Sequence, residues 1–402
     1  MKWWILSAQK QRSTPVKKIS KQAKGNLLNA LTILCVLGIV LYLSASSGDL
    51  GDAWATLLSA DVKWILAALG SWVVFTIFEG MGMHVFIRWN KIKIKLSSSI
   101  LVGLIGTFYS SVTPAATGGQ PMQVFAFKKR GVPAGISSSG LAIKFFTFQT
   151  ALLITTAVMW ILHADMVQPC IEKGKALVIL GLCLNSFSVV AVLLLAINRN
   201  IVRWIITLLI QLGSALRIVK DVAGTSSKAE AALEDFSSSV DMVTHHPKQL
   251  IKLILLAFPQ VLGLMSIVYC VYRALGLDIF SYFEILTLQL LLYLGASFIP
   301  TPGASGAQEG GFYIFFQHVF PSQGLLWGAL LLWRFFTYYL NLIAGFIAVL
   351  IDGTHSMRKI KKQKKNAPDS SSSPPTPKGD MSLAQDNSGS PESADSQTES
   401  IQ

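Results

Sequence analysis

Charge is scarce in this sequence of 402 residues. Only 14% are Asp, Glu, Lys or Arg, whereas 52% are hydrophobic. A soluble domain carries about 25% charged residues, so an ordinary soluble fold is excluded. Cysteine is scarcer still. Cys35, Cys170, Cys183 and Cys270 are far apart, which excludes a disulfide framework or a structural zinc site and leaves them as small apolar side chains. Catalytic signatures are missing as well. There is no Walker A sequence and no H-E-x-x-H, and Gly303-Ala304-Ser305-Gly306-Ala307 has its second glycine one residue too early for a nucleophile elbow. His245-His246 reads as a solvated pair. No metal, cofactor or catalytic residue is therefore expected.

Acid is absent from two stretches. Residues 1–26 hold seven basic groups and residues 357–365 hold six, each without Asp or Glu. Both lie beside apolar runs, and the positive-inside rule puts both termini in the cytoplasm. Such clusters attract anionic lipid headgroups. No stacking platform or binding fold accompanies them, so nucleic acid is excluded as a partner.

Apolar runs long enough to cross a hydrocarbon core of about 30 Å recur along the chain. The sequence predicts an all-α polytopic membrane protein with full spans at 27–46, 64–88, 135–162, 176–197, 253–275 and 324–351. The first reads as an anchor, because no small-residue cleavage site follows it. Two shorter apolar segments, 97–112 and 283–299, run into a repeated motif. Thr113-Pro114-Ala115-Ala116-Thr117-Gly118-Gly119-Gln120 returns as Thr301-Pro302-Gly303-Ala304-Ser305-Gly306-Ala307-Gln308, with five of eight positions identical. Proline and glycine do not continue a helix.

Charge distinguishes a full crossing from a dip. If 97–112 crossed fully, Lys128-Lys129-Arg130 and the basic connection 198–252 would lie outside, against the positive-inside rule. If both short segments dip and return, these groups become cytoplasmic. Each half then reads span, span, re-entrant segment, span, in opposite orientations, as in many secondary transporters. The expected organisation is a basic cytoplasmic N-terminus (1–26), a first half (27–162) with re-entrant motif 97–125, and a second half (176–351) with re-entrant motif 283–320. The second half also contains a cytoplasmic amphipathic insert (198–250). A basic juxtamembrane segment (357–365) and a Ser/Pro-rich disordered tail (366–402) complete the chain.

Each motif is followed about thirty residues later by a basic residue in an apolar span, Lys144 and Arg334. A charge at such depth costs several kcal/mol unless paired. Glu79 with Lys144 and Glu309 with Arg334 are the candidate pairs, either as tethers fixing helix register or as part of a site. Thr113, Thr117, Thr301 and Ser305 supply hydroxyls. Gln120 and Gln308 supply amides, and Gly118, Gly119 and Gly306 supply backbone amides at half-helix ends, which favour anions. With Lys144 and Arg334 these describe a polar, net-positive chamber for a headgroup phosphate.

The Pro114-Ala115 and Gly118-Gly119 pattern, followed by Lys128-Lys129-Arg130-Gly131, resembles the first signature of the lysylphosphatidylglycerol synthase transmembrane, flippase-like family. Pro300-Thr301-Pro302-Gly303 through Gly306-Ala307-Gln308-Glu309 resembles the second. Leu332-Trp333-Arg334 matches the family's basic residue in the last span. Gln120 stands where the family usually has an acid, and Lys144 about where it has arginine. The resemblance, over roughly residues 20–355, implies movement of lysyl-phosphatidylglycerol between leaflets of the cell membrane, which protects against cationic antimicrobial peptides. Well-known members add a cytosolic aminoacyl-transferase domain. Here only a short tail is expected after residue 365, so transport of an anionic, aminoacylated or polyprenyl-phosphate-linked lipid is expected rather than synthesis. The alternatives are a lipid-modifying transferase using Glu79 or Glu309 as base, and a scaffold for a separate aminoacyl-lipid synthase.

Overall fold

The computed structural model describes residues 60–164, 176–190, 246–297 and 299–365, with isolated positions between 198 and 241. All regular elements among the described residues are helical. The chain divides into two compact units, residues 1–354 and 355–402. In the second, residues 355–365 are described, and they are helical.

In the first half, α1 (Val62–Trp89) starts at Asp61, whose carboxylate accepts from Lys63 N at 2.9 Å. Helix α2 (Leu96–Val112) and helix α3 (Gly119–Lys129) flank a short 3₁₀ turn at Pro114–Ala116. Helix α4 (Ala134–Leu162) begins after Pro133, which removes an amide that a helix start leaves unpaired in any case. A short helix, α5 (Ala176–Val190), comes next.

Helix α5 belongs to the second half, and after it the order of α1 to α4 repeats. Helices α6 (Pro247–Met265) and α7 (Ile267–Ala274) form one apolar rod, Pro247–Ala274. Helix α8 (Tyr282–Ala296) opens with a capping box, Ser281 N donating to Glu284 Oε2 at 2.7 Å. A 3₁₀ turn at Pro302–Ala304 leads into helix α9 (Ala307–Phe316). Helix α10 (Gln323–Arg334), a π-helical turn (Phe335–Tyr339) and α11 (Leu340–Lys365) complete it.

Among the described residues four helices are long and apolar enough to cross a membrane: Val62–Trp89, Ala134–Leu162, Pro247–Ala274 and Gln323–Gly353. The expected span 27–46, both basic termini's side chains and the tail lie outside the described residues. So do most of the expected insert 198–250 and residues 191–197 of the span expected at 176–197. Helix α6 starts at Pro247, within the last residues of the expected insert.

Both Pro/Gly motifs form the bend of a helical hairpin. A Cβ built on Gly119 would lie 2.9 Å from Gly106 O, and one on Gly106 would lie 2.3 Å from Gln123 Cδ. Helix α3 therefore runs back along α2. In the second half a Cβ on Gly311 would meet Leu292 Cδ1 at 2.3 Å, so α9 returns along α8. The bends share a backbone: Ala115 and Ala116 have φ 52° and 53°, and their counterparts Gly303 and Ala304 have φ 61° and 50°. The two bends touch.

Small residues set the helix spacing, as is usual where lipid removes the hydrophobic drive for association. Helix α1 meets α2 at Gly80, where a Cβ would lie 2.5 Å from Ile100 Cα, and meets α6 at Gly263, where one would lie 2.8 Å from Phe75 N. We expect Gly80→Leu to destabilise the chain by about 1–3 kcal/mol, the usual cost of overpacking, read as a lower midpoint in detergent unfolding. At the far end of the first hairpin, Asp352 of α11 accepts from Lys129 Nζ at 2.9 Å and Arg130 Nη2 at 2.8 Å, tying α3 to the last span.

Candidate functional site

The hairpin bends, α1, α4, α6, α8 and the α10–α11 span enclose a cavity of about 740 Å³. Its apolar wall includes Phe75, Phe145, Phe148 and Leu264, and its polar wall draws on both halves.

Lys144 lies ten residues into α4 and Arg334 eleven into α10, about 15 Å along each helix from its start at 1.5 Å per residue. Both line the cavity, and each has a carboxylate partner. Lys144 Nζ donates to Glu79 Oε1, and the second oxygen of Glu79 accepts from Gln260 Nε2 at 2.6 Å. Arg334 Nε donates to Glu309 Oε1 at 2.7 Å. Nη1 donates to Gly303 O at 3.4 Å. Nη2 lies 2.7 Å from the same Glu309 oxygen but off the line of a hydrogen bond, and is buried with no hydrogen-bond partner. All four charged side chains are largely buried, 8–13% exposed. Glu309 is absent from the cavity wall, so the wall itself presents two cations and one carboxylate.

A buried pair of this kind is costly to assemble and more costly to break. Its cations still have donors to spare. An ammonium has three and a guanidinium five, and the bonds above use one and two of them. Aromatic rings shape the arginine's surroundings: its guanidinium carbon lies 5.4 Å from the Trp333 ring centroid and 5.5 Å from that of Tyr338. Tyr338 also joins the two bends. Its hydroxyl donates to Ser111 O at 3.2 Å, and its ring covers Gly303.

The remaining sequence-derived residues separate into two groups. Thr117, Gln120, Thr301 and Gln308 line the cavity, whereas Thr113, Gly118, Gly119, Ser305 and Gly306 lie outside its wall. The threonine hydroxyls hold the bends. Thr113 Oγ1 donates to Tyr109 O at 2.6 Å and accepts from Gly118 N at 2.9 Å. Thr117 Oγ1 donates to Pro114 O at 3.0 Å, and Thr301 Oγ1 to Ser305 O at 2.8 Å. The N-terminus of α9 does not present a free amide at Gly306, because Gly306 N donates to Glu309 Oε2 at 2.6 Å. Glu309 therefore both caps a helix and balances Arg334.

Sequence reasoning missed several wall residues. Gln260, Gln289, Gln149 and Asn341 are all nearly buried and line the cavity. Gln149 Nε2 donates to Asn185 Oδ1 at 2.6 Å, and Trp72 Nε1 donates to Asn341 Oδ1 at 2.9 Å. The available signal was an isolated amide inside an apolar helix, which demands a partner as a charge does, at lower cost. No cluster of three His, Cys, Asp or Glu suited to a metal exists among the described residues.

Comparison with known proteins agrees with this architecture. The family model described as lysylphosphatidylglycerol synthase TM region matches residues 29–345. A UPF0104 membrane protein of Archaeoglobus fulgidus is 24% identical over 308 residues, spanning 74% of this chain and 88% of that protein. The chain belongs to the lysylphosphatidylglycerol synthase TM region family, a family of membrane proteins.

Proposed function

We propose that this family member passes the phosphate-bearing headgroup of a membrane lipid between leaflets while the acyl chains stay in the bilayer. The observation that carries this reading is the cavity at the meeting point of two hairpin bends, with one buried cation from each half on its wall. Lys144 and Arg334 would hold the phosphate with the donors their carboxylates leave free. Gln120, Gln308, Thr117 and Thr301 would contact the headgroup, while Thr113, Gly118, Gly119, Ser305 and Gly306 keep the bends in shape. The motion would be a rocking of one half against the other around a fixed site, the usual behaviour of inverted repeats.

The membrane arrangement that fits has six full spans, two re-entrant hairpins entering from opposite faces and both termini in the cytoplasm, in the plasma membrane. Lys128, Lys129 and Arg130 support it, since they would otherwise face the exterior. Anionic phospholipids, lysyl-phosphatidylglycerol and polyprenyl-phosphate lipids share the phosphate that the two cations address.

The test is lipid movement in liposomes containing the purified full chain. Fluorescent lipid in the inner leaflet should become accessible to a membrane-impermeant quencher, and Lys144→Ala combined with Arg334→Ala should stop this. A new lipid species seen by mass spectrometry, with no movement, would instead assign a transferase. The absence of both would leave the scaffold reading.

A further inference from the structure

We infer that the cavity selects a phosphodiester lipid whose headgroup ends in hydroxyls, a glycerol or a sugar, over one that ends in an ammonium. This rests on the transport reading above. It begins with the acids. An ammonium offers three donors and no acceptor, and inside a membrane it calls for a carboxylate. Glu79 is the sole acid on the wall among the described residues. Each of its oxygens already accepts a hydrogen bond, one from Lys144 Nζ and the other from Gln260 Nε2, and its charge is balanced by Lys144. Glu309, behind the wall, is equally committed, to Arg334 Nε and Gly306 N. An entering ammonium therefore finds two cations and no carboxylate whose charge is not already balanced by one of them.

Amides are what the wall has to spare. Gln289 and Gln308 are 2% and 6% exposed, and the Oε1 of each is buried with no hydrogen-bond partner. Buried polar atoms in this state are rare and call for a partner. A carboxamide carries an acceptor and a donor side by side. A hydroxyl both donates and accepts, so it can satisfy either end, whereas an ammonium leaves the amide N–H facing a donor. Trp333 Nε1, an unpartnered donor on the same wall, and the Arg334 guanidinium, whose Nη2 faces Glu309 Oε1 at 2.7 Å without a hydrogen bond, match phosphate oxygens. A hydroxylated phosphodiester meets both sets together. A site built to hydrogen-bond a hydroxyl rejects analogues lacking one, because its own polar groups are then left unpaired.

The experiment compares headgroups in one preparation, so that the ratio of rates is independent of the amount of folded protein. Purified full chain goes into phosphatidylcholine vesicles with traces of acyl-labelled phosphatidylglycerol, phosphatidylinositol, phosphatidylethanolamine or lysyl-phosphatidylglycerol. We expect the hydroxyl-ended lipids to move roughly tenfold faster than phosphatidylethanolamine, the factor given by one ordinary lost hydrogen bond. Gln289→Leu should bring that ratio toward one. Gln289→Glu, which adds an uncommitted carboxylate, should shift it toward the ammonium lipids. Faster movement of phosphatidylglycerol assigns a glycerol headgroup, and of phosphatidylinositol a sugar-like one. Equal rates for all headgroups, or faster movement of the ammonium lipids, overturn the selectivity and leave transport intact. If no labelled lipid moves, transport itself fails.

Discussion

We expect Arg334→Ala to abolish the proposed lipid movement and to lower stability by about 3–5 kcal/mol, the usual cost of removing one partner of a buried ion pair. Glu309 is left behind with a charge that only the Gly306 amide addresses. The same carboxylate caps α9, so its loss of balance is felt at the bend as well as at the span. The double replacement Arg334→Leu with Glu309→Leu is expected to unfold less readily than Arg334→Ala, because it buries no lone charge. Arg334→Lys keeps the charge but loses the planar fork that reaches Glu309 and Gly303 together. It should fold better than the alanine variant and still transport poorly. Unfolding midpoints in detergent and scrambling rates in liposomes check the series. An alanine variant as stable as the parent would show that the pair contributes nothing to the fold.

Gly303→Ala is the second large effect. A Cβ there would lie 2.1 Å from Tyr338 Cε2, in a residue with φ 61°. The left-handed backbone costs an L-residue about 1–2 kcal/mol, and overpacking against the ring adds about 1–3 kcal/mol. The ring cannot withdraw freely, since its hydroxyl holds Ser111 O of the other hairpin. Adding Tyr338→Ala to the glycine variant should recover the steric part and leave the backbone part. The counterpart position gives the opposite sign. Ala115 already sits at φ 52°, so Ala115→Gly removes strain and should raise stability slightly. Equal responses to Gly303→Ala and Ala115→Gly would contradict the shared geometry of the bends.

Parts of this site were legible in the sequence for a physical reason. An intramembrane charge must be paired, and a chain with so few acids within its apolar stretches leaves few partners to choose from. The pairs Glu79–Lys144 and Glu309–Arg334 follow from that scarcity. The hairpins were legible because proline and glycine at matching places interrupt two apolar runs. The roles of the threonines were not. A hydroxyl next to a bend can line a chamber or close the bend's own hydrogen bonds, and spacing alone does not separate the two. Thr113 and Thr301 do the latter. Gln260 and Gln289 were hidden because a glutamine in an apolar helix carries no charge to draw attention. Tyr338 was hidden because its importance lies in joining bends 188 residues apart in numbering, at Thr113 and Thr301, and only the fold brings them to one ring.

The π-helical turn at Phe335–Tyr339 is a seam. Its counterpart span in the first half, Ala134–Leu162, runs as uninterrupted α-helix, 29 residues against the 31 of Gln323–Gly353. A π turn holds an extra residue without rotating the rest of the span by the roughly 100° that an insertion into an α-helix would impose. Upstream of the seam Arg334 stays with Glu309. Downstream, Asn341 still reaches Trp72, and Gly345 still lies close against Leu104 and Phe108. The two copies of the repeat therefore differ in helical geometry as well as in sequence: one carries its cation on a continuous α-helix, the other directly before a π-helical turn.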